Sequence, residues 1–284
     1  MIRIVTDSAA QLDADWVREH NAVVLPHHIK IDGKGYREGV DLSADDLAAK
    51  MGAAKQVSIS GPTVEEFIEA YKKLADEKAD VVSLHVSSLL SNTVQNATKA
   101  QAEYRGRCNI QVVDSRCVSL GLHELAHSAQ GFVAQRMVLD DVVQRVRGLI
   151  PHIYGIFVSE DMQALEHSKR LRPAQAELGQ MLGIIPCLSL EEGDIVAVEK
   201  VRNTEKAIER LAEFAGEFEE FERLAILQLT PYPHEQIHQL IEAIQPLFPN
   251  MPQIPIESCG PIIGQIIGAG GYGVMIYEGE KGLR

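Results

Sequence analysis

The chain has 284 residues, 45% of them hydrophobic, enough for one large or two ordinary domains with a sizeable core. Lys and Arg number 27 against 40 Asp and Glu, a net charge of −13, which argues against nucleic acid and anionic membrane surfaces as partners. No apolar run approaches the ~18 residues of a transmembrane span. An N-terminus that enters a strand with Asp7 close behind is unlike a signal peptide, so a cytoplasmic location is expected. Cys108, Cys117, Cys187 and Cys259 show neither CxxC pairing nor zinc spacing and read as reduced thiols.

In chain order, apolar runs at 2–6, 22–31, 81–87 and 110–113 predict strands. Helical periodicity covers 13–20, 43–52, 63–77, 91–105, 119–136 and 139–149. Thr63 and Glu66 form a capping box, and Ile31 to Tyr36 reads as a tight hairpin turn. This alternation predicts an α/β lobe, residues 1–151, built on a mostly parallel open sheet. From His152 the pattern changes. Strands are predicted at 152–159, 184–190, 194–201, 224–229, 253–256 and 273–277, with a hairpin across Glu191-Glu192-Gly193. Helices are predicted at 161–169, 203–220, 233–247 and 261–267. Residues 152–284 are therefore expected to form a second, mixed α/β lobe.

The segment Val81 to Thr93 carries the strongest functional signal. A buried strand runs into a hydroxyl-rich turn, and a helix opens at Ser91. In open parallel sheets ligands gather beyond the carboxyl ends of the strands. The helix N-terminus there offers unpaired N–H groups and the positive end of a dipole. Ser87, Ser88, Ser91, Asn92 and Thr93 add polar groups without the lysine of a nucleotide loop. Such a turn suits a carboxylate or phosphate. The structural alternative is a helix simply capped by Ser91.

Three further segments accompany it: Thr6-Asp7-Ser8 ending the first strand, Ser58-Ile59-Ser60-Gly61-Pro62-Thr63 before a helix, and Val112-Val113-Asp114-Ser115 leading to Ser119-Leu120-Gly121. With Ser87-Ser88-x-Leu-Ser91-x-Thr93, Arg170, Arg202 and Gly260-Pro261, this ordered set resembles the DegV family over essentially the whole chain. The resemblance implies a non-catalytic protein that binds one long-chain fatty acid, with no cofactor and no metal. It places the ligand's carboxylate among Ser60, Ser87, Ser88, Ser91, Asn92, Thr93, Arg170 and Ser258. It also implies a fatty acid kinase subunit as partner. This chain departs from the family pattern. Ile59 replaces a threonine, Asn92 a glycine, Ser168-Lys169 a Gly-Gly pair, and Ser258 a histidine. The losses at Ile59 and Ser258 weaken the kinase expectation. At Asn92 a backbone needing φ > 0 would rely on asparagine's tolerance.

Other motifs compete. His123-Glu124-Leu125-Ala126-His127 matches the zincin pattern H-E-x-x-H. The apolar stripe of that helix is Leu122, Leu125, Ala126, Ala129 and Val133, which leaves both imidazoles off the buried face. A third ligand is not evident, and in DegV-like proteins this helix holds no metal. Gly268 to Gly273 matches G-x-G-x-x-G but lacks the following helix of a dinucleotide site, so it is expected to end one helix and start the last strand. Asp7, His85 and Asp114 could serve a hydrolase, although no G-x-S-x-G occurs. Adjacent His27 and His28 on a strand would point to opposite faces. The alternatives to fatty acid binding are thus a hydrolase or zinc enzyme, and a binder of another small anion.

Overall fold

The computed structural model describes residues 1–230 and 233–280. The chain divides into two compact units, residues 1–43 with 56–151, and residues 44–55 with 152–284. The segment 44–55, read from the sequence as part of the first lobe, therefore counts with the second.

In the first unit, β1 (Ile2–Asp7), β2 (Val23–Leu25), β6 (Asp80–His85) and β7 (Ile110–Asp114) form a parallel sheet in the order β2-β1-β6-β7. Both faces of such a sheet must be covered, which explains why Val81, Val82 and Leu84 are all apolar and buried, with Ser83 the one polar residue among them. On one face, α3 (Val64–Asp76) and α4 (Thr93–Ala102) bury Phe67, Tyr71, Leu74, Ala97 and Ala100 with Val5 and Val81. The predicted capping box at Thr63 and Glu66 starts α3. The unit also contains α1 (Ala14–His20), α5 (Leu120–Ala134) and α6 (Leu139–Leu149). Leu122, Leu125, Ala126 and Ala129 of α5 are buried, and Val133 is only partly so.

The predicted strand 22–31 is two strands. Pro26 interrupts it, since proline cannot donate to a ladder. Beyond it β3 (His28–Ile31) leaves the parallel sheet and pairs antiparallel with β4 (Lys34–Arg37) and β5 (Val57–Ser60). The hairpin turns on Asp32 and Gly33, both at positive φ, the geometry that matches strand twist. β5 is not among the strands predicted from the sequence, although Val57 and Ile59 alternate with serines at strand period.

The second unit holds α2 (Ala44–Ala53), β8 (Ile153–Val158), α7 (Met162–His167), α8 (Pro173–Met181), β9 (Ile185–Glu191), β10 (Asp194–Val201) and α9 (Thr204–Gly216). It continues with β11 (Arg223–Gln228), α10 (Glu235–Ile244), β12 (Ile256–Ser258), α11 (Gly260–Ile267) and β13 (Tyr272–Tyr277). Its mixed sheet has the order β10-β9-β8-β13-β11-β12, with only β11 and β12 parallel. Leu211, Ile237 and Leu240 of α9 and α10 pack with Ile226, Val274 and Ile276 of the sheet. Helix α8 had not been predicted; its apolar positions are few, but Pro173 opens it and the Gln175 side chain accepts the Arg172 N–H. Gly268, at φ 76, closes α11 ahead of the last strand, as its glycine run suggested.

Candidate functional site

Asp7 and His85 stand side by side at the carboxyl ends of β1 and β6. Asp7 Oδ2 accepts from His85 Nδ1 at 3.0 Å and from the Val86 N–H at 3.1 Å, while Oδ1 accepts the Ala9 N–H at 3.1 Å. His85 Nε2 meets Ser83 Oγ at 2.7 Å, and Ser83 Oγ meets the Tyr71 hydroxyl at 2.7 Å. Nδ1 donates to Asp7, and the Ser83 hydroxyl links Nε2 to the Tyr71 hydroxyl. Burial is the largest influence on Asp7 and would raise its pKa. The His85 hydrogen bond, nearby His27 and the Val86 N–H outweigh it, and the carboxyl lies below its ordinary value. Asp7, His85 and Ser83 thus have the connectivity of a nucleophilic triad. All three are fully buried, and Tyr71 covers the serine. Asp114 takes no part in this chain. It braces the turn after β6, accepting the Ser88 N–H at 3.2 Å and the Ser88 hydroxyl at 2.5 Å.

A second, partly buried chain begins at Ser8. Its hydroxyl donates to Glu38 Oε2 at 2.6 Å, and its oxygen accepts the His27 N–H at 2.9 Å and faces His27 Nδ1 at 3.1 Å. His27 Nε2 lies 3.3 Å from Thr93 Oγ1 and 3.4 Å from Ser91 Oγ, and those two hydroxyls are 2.8 Å apart. His27 and Thr93 are fully buried, while Ser91 is partly exposed. Burial pushes the His27 pKa down, only partly opposed by the Asp7 charge, so the ring is neutral. Burial pushes the Glu38 carboxyl up to about 7, despite the Ser8 hydrogen bond and with the Asp7 charge adding to the rise.

Helix α4 begins at Thr93, with Asn92 rather than Ser91 at the cap position. Asn92 has φ −80, so no left-handed backbone is needed where the resemblance places glycine. Its side chain does not cap the helix; Oδ1 accepts the Gly61 N–H at 2.8 Å. Ser91 is free of the capping role expected for it, and its hydroxyl sits beside an N-terminus that its neighbour does not cap. Gly61 fits only because it lacks a side chain: a Cβ there would lie 2.2 Å from Thr93 Oγ1 and 3.0 Å from Ser91 Oγ.

The predicted site residues therefore separate. Ser91, Asn92 and Thr93 cluster with Gly61 and His27. Ser60 is exposed at the end of β5 and lines a cleft of about 500 Å³ with His28, Tyr36 and Arg37. Ser87 is buried and its oxygen accepts the Leu89 N–H, while the Ser88 hydroxyl is bonded to Asp114. Arg170 and Ser258 belong to the second unit. Arg170 Nη1 pairs with Asp194, its Nε is buried without a hydrogen-bond partner, and Lys169 before it adopts φ 62 where the family pattern has glycine. Ser258 Oγ accepts the Gly260 N–H at 3.1 Å. The second unit also has an open apolar cleft of about 640 Å³, lined by Met162, Leu171, Leu178, Ile184, Pro186 and Val198 among others.

Sequence reasoning did not select His27, Ser8 or Glu38 as a group. Of the histidine pair, His28 is the outward one and bonds Glu66 at 2.8 Å. His123 and His127 are half-buried, not solvent-facing. They stack at 4.4 Å, His127 lies 4.6 Å from the Trp16 ring, and His123 Nδ1 donates to the Ala10 carbonyl at 3.2 Å. Among the described residues no group of three or more His, Cys, Asp or Glu is placed to hold a metal ion, and no helix is long and apolar enough to cross a membrane.

A parallel α/β unit joined in sequence to a mixed-sheet unit, with a serine-rich turn at the parallel sheet's carboxyl edge, defines the class of α/β protein. The model of the DegV family, described as an uncharacterised protein family, matches residues 1–279, and the chain belongs to that family. A DegV domain-containing protein of Listeria monocytogenes is 31% identical over 96% of this chain and 97% of its own length. A solved structure described as a fatty acid binding DegV family protein from Streptococcus agalactiae has 28% identity and a TM-score of 0.86, covering 98% of each chain. Another, described as fatty acid binding of a DegV family protein from Thermus thermophilus, has 27% identity and a TM-score of 0.81, covering 98% of this chain and 99% of its own.

Proposed function

We propose that this protein binds a long-chain fatty acid, with the carboxylate held by Ser91 at the N-terminus of α4. The observation that carries the reading is the Ser91–Thr93 hydroxyl pair, backed by a buried neutral histidine and set beside N–H groups that Asn92 leaves uncapped. Solved relatives near 28% identity are described as fatty acid binding, which supports the ligand class. Thr93 is fully buried, so Ser91 is the hydroxyl that meets the ligand and Thr93 orients it.

Energetically the tail dominates. Some ~15 methylenes at about 0.8 kcal/mol each contribute on the order of 10 kcal/mol gross when buried. A hydrogen bond to the carboxylate adds ~1.5–3 kcal/mol and fixes orientation. Presentation of the acid to a kinase subunit is the finer expectation, and Ile59 and Ser258 stand against it.

Calorimetric titration of palmitic acid and its methyl ester into wild type and Ser91→Ala tests the reading. Ser91 does not cap α4, so the variant should lose little stability. It should bind the acid more weakly by about 1.5–3 kcal/mol and the ester almost as well as wild type. Absence of binding by delipidated wild type, or equal loss for acid and ester, overturns it. Binding of acetate as tight as palmitate would favour a small-anion site instead.

A further inference from the structure

The Ser8 hydroxyl has one proton, and at 2.6 Å that proton belongs to Glu38 when the carboxyl is ionised. Ser8 Oγ then accepts from the His27 N–H and from Nδ1, which fixes the proton of neutral His27 on Nδ1. Nε2 must accept, so Thr93 donates to it, and Ser91 donates to Thr93. In this state every hydroxyl proton points inward, away from any ligand. Shifting each proton one link reverses the line. Glu38 is protonated and donates to Ser8, Ser8 to Nδ1, Nε2–H to Thr93, Thr93 to Ser91, and Ser91 points its proton outward.

We propose that Glu38, Ser8, His27, Thr93 and Ser91 form a proton wire, in which His27 is the positioning residue that turns the Ser91 donor toward a bound carboxylate as one proton is stored on Glu38. The proposal rests on the fatty acid reading above. The protons balance. A neutral acid gives its proton to Ser91, each hydrogen moves one step inward, and the products are a bound carboxylate and a protonated Glu38. An acid arriving already ionised must draw that one proton from solvent.

The surroundings favour such storage. The Glu38 side chain is 10% exposed, in a site where an ionised carboxylate is poorly solvated. Its value near 7 leaves the proton exchangeable at neutral pH. Other titratable groups face the wire. Asp7 at the end of β1 lies 3.8 Å from His27 Nδ1, Glu38 after β4 lies 3.7 Å from it, and His85 of β6 and His28 of β3 act on the ring through space. Asp7 accepts three hydrogen bonds and stays charged. His85 bonds Asp7 through Nδ1, and its other nitrogen meets Ser83 and then Tyr71, so both lie off the line from Glu38 to Ser91.

Palmitate titrated at pH 8.5 in buffers of different ionisation enthalpy counts the protons taken up. Wild type should take up about one per ligand, and its affinity should fall about tenfold per pH unit above pH 7. Glu38→Gln should abolish both the uptake and the slope. Ser8→Ala, which removes the link between Glu38 and His27 and leaves both of those side chains in place, should do the same and serves if Glu38→Gln fails to fold. Difference infrared spectra of wild type should gain a protonated-carboxyl band when palmitate labelled with ¹³C at its carboxylate binds. Binding without proton uptake, or uptake that persists in both variants, overturns the wire and leaves the fatty acid reading intact. No binding at any pH overturns that reading, and the wire with it.

Discussion

Gly61 is the position where one added carbon tests the site without any ligand. Its backbone is outside the left-handed region, so an alanine there meets a steric problem alone. The new Cβ would sit 2.2 Å from Thr93 Oγ1, and 3.0 Å from both Asn92 Oδ1 and Ser91 Oγ. Ordinary contact begins near 3.4 Å, so Thr93 must retreat by about 1.2 Å (3.4 − 2.2). The Thr93 hydroxyl is buried between Ser91 and His27 and cannot swing into solvent. Overpacking of this kind costs about 1–3 kcal/mol. Thr93→Ala removes the offending oxygen, so Gly61→Ala should cost about 1–2 kcal/mol less in that background, the range of coupling found between contacting side chains. Urea denaturation of the four proteins measures it. Additivity within about 0.5 kcal/mol would mean that Gly61 and Thr93 are not in contact, and the site geometry argued above would be wrong.

Two other outcomes follow from buried groups outside the head-group contact itself. Glu38 has a folded pKa near 7 against an ordinary 4.5, so its ionisation weakens the fold as pH rises through that window, by ~3 kcal/mol at about 1.36 kcal/mol per unit. His27, lowered from 6.5, works in the opposite sense, its contribution complete above pH 6.5 and lost as pH falls. Glu38→Gln should therefore gain stability over wild type as pH rises from about 4.5 to 7 and hold that gain above; a difference that does not change with pH refutes this. His123→Ala loses a hydrogen bond to Ala10 and a stack on His127, so chemical denaturation should show a loss of about 1–1.5 kcal/mol, unaffected by a chelator. A chelator that destabilises wild type but not the variant would restore the zinc reading.

Periodicity made most of both units legible, because parallel strands and amphipathic helices declare themselves locally. The failures have tertiary causes. Ser91 reads as a cap because serine is a favoured cap, yet Asn92 holds the cap position, and its amide is drawn to the Gly61 N–H across 31 residues. The family residue Arg170 looks like a free cation for a carboxylate until β10 brings Asp194 to it. Glu38, in a polar stretch between Arg37 and Gly39, gives no local sign that its carboxyl is buried against Ser8. His27 shows nothing in sequence beyond its place after Pro26. The strand break at Pro26 brings its ring between Ser8 and the start of α4.

Two histidines lie close to one carboxylate, and they do different things. His85 donates to Asp7, and its other nitrogen leads inward, to Ser83 and then Tyr71, all buried. That path has the residue types of a hydrolase, with a serine that is fully buried and bonded to Tyr71. His27 faces the same carboxylate at 3.8 Å without bonding it, and its other nitrogen leads outward, to Thr93 and the partly exposed Ser91. The sealed path keeps Asp7 charged, and a fixed negative charge beside Glu38 raises the proton affinity of that carboxyl. In the proposed site the inner chain thereby supplies the field and the outer chain meets the ligand. What separates a triad from a binding site here is access, which is set by the burial of Ser83 and the partial exposure of Ser91 rather than by the residues that compose them.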